Sequence, residues 1–219
     1  MKIKKLVVTI LALVFAFGGA IAVAQADNTY TLSEEQRDYV EEWHWLVEEL
    51  SAALDARLAE ELGSDYDPEV HGINWSQVMG QSLLESGAGK SDYAQKHNNA
   101  LGLGGHENPI DFETYGESWE YYFDLFSGSD RYVREGSLLH KNDAEGYFTA
   151  LVLGGYCPDM YYVENVSQVV GGVERYAAER AEAWEAERVA RAEAEKLRAF
   201  EREMRAPIEA FEAFLNGVR

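Results

Sequence analysis

The chain has 219 residues with 19 Lys and Arg against 39 Asp and Glu, a formal net charge of −20. At 47% hydrophobic and 12% aromatic it carries enough apolar side chain for one core, which excludes global disorder. One Cys and four Pro exclude a disulfide framework and a proline-rich stalk, and the shortage of cations excludes nucleic acid as a partner, because phosphates are held by Lys and Arg.

The first five residues contain three lysines, Leu6 to Ala24 is apolar apart from Thr9, and two overlapping Ala-x-Ala sites follow at Ala22-Val23-Ala24 and Ala24-Gln25-Ala26. This pattern predicts a secretory signal peptide over 1–26, and with it a secreted or cell-envelope protein. The other reading, an uncleaved anchor, draws on an apolar run close to the ~20 residues that span a bilayer. Cleavage would remove three positive charges and leave a mature chain of −23.

Residues 27–73 follow as an acidic amphipathic segment. Val40, Trp43, Val47, Leu50, Leu54, Leu58 and Leu62 recur three or four apart, which places them on one helical stripe between Ser33 and Leu62. Ser33 with Gln36 has the pattern of a capping box, and Gly63 is a stop signal. The segment holds fourteen acids against Arg37 and Arg57, a net −12.

The chemistry is expected in 74–171. The spacing predicts helices at 76–86, 118–126, 143–153 and 159–170, with Asn142 and Glu145 as a capping box, Asp159 as an N-cap, and a Gly- and Asn-rich loop at 87–117. So long a loop is expected to be functional. Glu85 falls at the C-terminal end of an apolar helix. There Leu83 and Leu84 are expected to exclude water, and the negative end of the helix dipole disfavours a second negative charge, so its pKa should be raised. A carboxylic acid kept protonated near neutral pH is what a general acid needs to protonate a departing glycosidic oxygen. Other chemistries find less support. His44, His71, His97, His106 and His140 are scattered without metal-ligand spacing, and every His precedes Cys157, so neither a zinc site nor a cysteine nucleophile is expected and no cofactor is implied.

The tail, 172–219, is rich in Ala, Glu and Arg, with pairs such as Glu187/Arg191 and Glu201/Arg205 at i, i+4, a composition that predicts a long helix kinked or restarted at Pro207. It either packs on the domain or serves as a coiled-coil arm for self-association or a protein partner.

Four motifs in order tie the central region together: Leu84-Glu85-Ser86-Gly87 with Gly89-Lys90-Ser91; His97-Asn98-Asn99-Ala100-Leu101-Gly102-Leu103; Phe112 and Tyr115; and Gly155-Tyr156-Cys157-Pro158-Asp159-Met160-Tyr161-Tyr162. Together they resemble the endo-β-N-acetylglucosaminidase domain of bacterial cell-wall hydrolases, glycoside hydrolase family 73. The chain departs from the family pattern at Ala88, where tryptophan is usual, at Leu101 for phenylalanine, at Gly104 for lysine, and at Cys157 to Met160 for alanine-threonine-aspartate-proline. The resemblance implies a mainly α, lysozyme-like domain with a short loop or β-hairpin lobe, flanked here by the two long helices. It also implies cleavage of the β-1,4 bond after N-acetylglucosamine in peptidoglycan glycan strands. Carried onto this sequence, Glu85 takes the place of the catalytic acid and Tyr162 that of a tyrosine implicated in catalysis. Asn98, Asn99, Asp111, Tyr115 and Tyr156 are candidates for substrate binding. A second carboxylate is expected among Glu107, Asp111 and Glu113; failing that, the substrate's own acetamido group is the nucleophile. A lytic transglycosylase or muramidase of the same superfamily, and a non-catalytic wall-binding module, are the alternative readings.

Overall fold

The computed structural model describes residues 30–105, 108–159 and 161–217, with side chains to Arg205. The signal segment and Glu107 lie outside the described residues. Those residues hold seven α-helices and no strand, so among them the expected lobe is a loop and not a β-hairpin.

The chain divides into two compact units, one ending at Tyr176 and the other beginning at Ala177. In the first, α1 (Glu34–Leu62) begins on the expected capping box, with Gln36 N–H donating to Ser33 Oγ and Ser33 N–H to Gln36 Oε1, and stops at Gly63 with φ 58°. Its stripe is buried at Val40, Val47, Leu54, Leu58 and Leu62, while Trp43 stacks on Tyr115 at 5.6 Å and 22°. The stripe packs against α2 (Trp75–Ser86) and against α4 (Tyr115–Gly128), a longer helix than the expected 118–126. The acidic leading helix is therefore a wall of the unit that holds the central motifs: once its apolar stripe needs cover, it cannot stand as an appendage.

The loop expected over 87–117 is shorter, because α3 (Asp92–His97) interrupts it and Thr114 caps α4 through Glu117 N–H. A five-residue helix, α5 (Asp130–Arg134), follows. The next helix, α6 (Ala144–Leu153), is capped by Asp143, whose side chain accepts from Gly146 N–H, and not by Asn142. Asn142 is instead drawn away by Glu69, donating to its carbonyl at 3.1 Å and its carboxylate at 2.9 Å. Asp159 caps the turn ahead of α7 (Tyr162–Gly217), accepting from Tyr161 N–H at 2.9 Å. The early turns of α7 lie directly on α2: a Cβ at Gly80 would sit 2.6 Å from Val170 Cγ2 and 3.0 Å from its backbone. The second unit, Ala177–Arg219, is helical to Gly217, across Pro207, with exposed ion pairs such as Arg188 with Glu185 at 2.6 Å. No described helix is long and apolar enough to cross a membrane.

Candidate active site

The site is built on the last turn of α2. Asn74 opens that helix with a second capping box through Gln77, and Gly87, in the left-handed region at φ 59°, ends it. One face, with Val78, Met79 and Leu83, enters the core, and Glu85 sits at the rim, half-buried.

Leu84 does not shield the carboxyl as expected: it is 40% exposed, because successive residues on a helix turn by about 100° and Leu83 already faces inward. The cover comes instead from three distant segments. Tyr156, in the turn after α6, donates its hydroxyl to Glu85 Oε1 at 3.1 Å. Tyr162, the first residue of α7, packs its ring against Tyr156 at 5.6 Å and edge-on to Phe148 at 6.2 Å. Gly102 lies over the other carboxyl oxygen, where a Cβ would stand 3.4 Å from Oε2.

Burial raises the Glu85 pKa above the ordinary carboxylate value, and the Tyr162 and Tyr156 hydroxyls offset this only in part. No charged side chain is among the causes of that shift. Burial also pushes both phenols up, so Tyr156 and Tyr162 remain protonated donors. The Tyr162 hydroxyl lies buried beside Glu85 and Tyr156 without a well-formed hydrogen bond.

The turn after α2 is fixed by Ser86, whose Oγ donates to Ser82 O at 2.7 Å and accepts from Gly89 N–H at 2.9 Å. Its tight packing requires Gly89, since a Cβ there would fall 2.9 Å from the Tyr39 ring. Tyr115 donates to Gly89 O at 3.3 Å, which places it under this turn with Trp43 behind it.

The paired asparagines hold the loop. Asn99 is fully buried: Nδ2 donates to Leu103 O at 2.9 Å and Ile110 O at 3.1 Å, and Oδ1 accepts from Leu101 and Leu103 N–H. With both donors and both acceptor sites used, it has nothing to offer a sugar, so its expected substrate contact is replaced by a structural role. Asn98 caps α3 in the left-handed region at φ 46° and donates to Phe112 O and Glu113 O, which also turns it toward the protein. Asp111 is on the surface with 76% of its side chain exposed, bound to His97 Nδ1 at 2.6 Å. Glu113 is exposed too. Of the expected site residues, the structure brings together Glu85, Tyr156 and Tyr162.

Sequence reasoning missed two groups. Gly102 lies against the Glu85 carboxyl, and its signal was the run Gly102-Leu103-Gly104-Gly105. Gln81 lies one turn before Glu85 on the buried face of α2 and accepts a hydrogen bond from Tyr122. Its visible mark was its place four positions before Glu85, on the same row of the helix.

The model of the glucosaminidase family, described as mannosyl-glycoprotein endo-beta-N-acetylglucosaminidase, matches residues 67–175. Those residues form a glucosaminidase-family domain. Its family is one of glycoside hydrolases, and the match includes Glu85 and the residues placed against it, Gly102, Tyr156 and Tyr162. Among solved structures the chain is similar to a type VI secretion system effector-immunity complex from Pseudomonas protegens, at 14% identity and TM-score 0.50, over 67% of this chain and 96% of that one. It is also similar to a peptidoglycan hydrolase from Sphingomonas sp. A1, at 20% identity and TM-score 0.47, over 65% of this chain and 93% of that one. No curated protein sequence matches the chain. The glucosaminidase-family domain is mainly α, with the Glu85 carboxyl at a helix end beside the loop that carries Gly102.

Proposed function

We propose that the chain is a peptidoglycan hydrolase that cleaves the β-1,4 bond after N-acetylglucosamine, with Glu85 as the general acid. The observation that carries this reading is the Glu85 carboxyl, raised in pKa by burial and held by the Tyr156 hydroxyl at the rim of the glucosaminidase domain. In that state it donates a proton to the glycosidic oxygen as the bond breaks, and the buried phenols of Tyr156 and Tyr162 then stabilise the carboxylate left behind. A general acid with no charged group acting on it does not depend on a neighbouring carboxylate for its proton. Asp111 is engaged by His97, so the acetamido group of the substrate is the reading we favour for the nucleophile, with Glu107 the remaining carboxylate to test.

The experiment is digestion of purified peptidoglycan followed by analysis of the new reducing ends. N-acetylglucosamine ends are expected; N-acetylmuramic acid or anhydro ends would assign the chain to the muramidases or lytic transglycosylases instead. Glu85→Gln should abolish release with the fold intact, and retained turnover would overturn the assignment. Asp111→Asn should keep turnover within a few-fold, whereas loss in either Asp111→Asn or Glu107→Gln would restore a second carboxylate.

Export follows from the sequence of 1–26 and is read by N-terminal sequencing of the secreted protein. A mature chain that still begins at Met1 contradicts cleavage and leaves the uncleaved anchor. The 172–219 helix is the proposed arm for self-association or a protein partner. Because Val173 is buried in the first unit, the informative truncation ends at Tyr176, compared with the full chain by light scattering.

A further inference from the structure

The group that touches Glu85 is itself held from behind. Tyr156 has one hydroxyl proton and two acceptors near it, Glu85 Oε1 at 3.1 Å and Leu101 O at 3.4 Å. Only when the proton points to Glu85 does it stabilise the carboxylate. Gln81 has no exposed surface, and its amide ends face different ways. Oε1 accepts from the Tyr122 hydroxyl on α4, and the Tyr122 oxygen lies 2.7 Å from the Tyr147 hydroxyl on α6. Nε2 is buried, short of a well-formed hydrogen bond, and next to the Tyr156 hydroxyl.

The directions of these bonds follow from counting protons. An amide oxygen only accepts, so Tyr122 spends its one proton on Gln81, and the bond between the two tyrosines must be donated by Tyr147. With Oε1 fixed by Tyr122, the amide cannot turn, and its N–H end is presented to the Tyr156 oxygen. A hydroxyl approached by a donor on its lone-pair side directs its own proton elsewhere, toward Glu85. Every donor along the line then points the same way, from Tyr147 through Tyr122, Gln81 and Tyr156 to the carboxyl.

We propose that Gln81 is a positioning residue: fixed by Tyr122 and Tyr147, it holds the Tyr156 hydroxyl as a donor to Glu85 in preference to the Leu101 carbonyl, and so sets how readily the acid keeps its proton. Glu85 is faced by Tyr156 from the turn after α6, by Tyr162 from α7 and by the Gly102 backbone from the loop, with no charged side chain among the causes that act on it. Among the described residues Tyr156 is therefore one of two side-chain donors that act against burial, and Gln81 controls one of them. The effect on rate rests on Glu85 being the general acid; the effect on its titration does not.

The test is a carbon-13 NMR titration of the Glu85 carboxyl in the full chain, run beside kcat/KM against pH on peptidoglycan, for the wild type, Gln81→Met and Tyr122→Phe. Gln81→Met should move the Glu85 midpoint upward by about 0.5–1 pH unit, the size expected for weakening one charge-assisted hydrogen bond. Tyr122→Phe, which removes a single oxygen, should move it the same way by less and carries the test if the methionine variant fails to fold. Adding Gln81→Met to Tyr156→Phe should produce no further movement. An unchanged midpoint, even with a lowered melting temperature, would reduce Gln81 to core packing and overturn the proposal. If the midpoint moves but the alkaline limb of kcat/KM does not follow, the positioning role stands and the assignment of Glu85 as general acid falls.

Discussion

Replacing Asn99 by Ala separates a structural asparagine from a sugar-binding one. The substitution removes four hydrogen bonds: two donated to Leu103 O and Ile110 O, and two accepted from Leu101 and Leu103 N–H. Leu103 O retains the Tyr93 hydroxyl at 2.9 Å, so that carbonyl is not orphaned. The N–H groups of Leu101 and Leu103 are, and both residues are buried. At roughly 1–3 kcal/mol for each buried unsatisfied group, eased by some relaxation of the loop, the loss should be about 3 kcal/mol. For a chain of this size that lowers Tm by roughly 6–12 °C. Because Gly102 sits between the two freed N–H groups and against Glu85 Oε2, the loop also shifts over the acid and kcat should fall with KM changing less. Thermal melts by circular dichroism with Michaelis kinetics on soluble glycan fragments read both. An unchanged Tm with a raised KM would refute the reasoning, since it would mean that Asn99 serves the substrate and not the loop.

Glu85→Gln has a second consequence besides lost activity. A carboxyl whose folded pKa lies above its unfolded value stabilises the fold below the unfolded pKa, and that contribution is lost as pH rises through the folded pKa. The glutamine variant has no such dependence, so its Tm should gain on the wild type as pH rises above the ordinary carboxylate value; a gap that is constant or shrinks with rising pH contradicts the burial of Glu85. Gly80→Ala should destabilise by about 1–3 kcal/mol despite the better helix propensity of alanine, because its Cβ meets Val170 at 2.6 Å, and denaturant titration measures it. Adsorption to anionic cell wall should hold or rise as salt goes from ~10 to ~150 mM, because added salt screens repulsion between the wall and an acidic protein. A steep fall in a sedimentation assay would show that cations make the contact.

The elements that the sequence displays are those in which one local rule suffices. The stripe of α1, its capping box and its Gly63 stop are all present, because spacing of apolar residues and cap chemistry are properties of a single segment. Errors gather where two segments compete for one side chain. Asn142 has the pattern of a cap yet bonds Glu69, seventy-three residues away, and Asp143 takes the helix end. Asn99 stands in a loop, where a ligand contact and a turn support look alike until the four bonds are counted. Glu85 was visible from its position at a helix end, but the reason for its raised pKa was misplaced: Leu84 points outward, and Tyr156, Tyr162 and Gly102 supply the cover.

That difference bears on how the acid is maintained. Had Leu83 and Leu84 alone kept Glu85 dry, its protonation would be a property of one helix and would survive changes elsewhere. Instead the carboxyl depends on the close seating of α7 on α2 at Gly80 and Val170, which brings in Tyr162, and on the turn after α6, which brings in Tyr156. Burial raises the pKa and the two hydroxyls lower it, so the working value is a balance between packing and hydrogen bonding. A balance of this kind is sensitive to both: loosening the α2–α7 contact admits water and lets the pKa fall toward the ordinary carboxylate value, while removing a hydroxyl lets it rise. The two classes of variant, Gly80→Ala and Tyr156→Phe, should therefore move the alkaline limb of activity in opposite directions, and a shift of the same sign in both would mean that burial is not what raises Glu85.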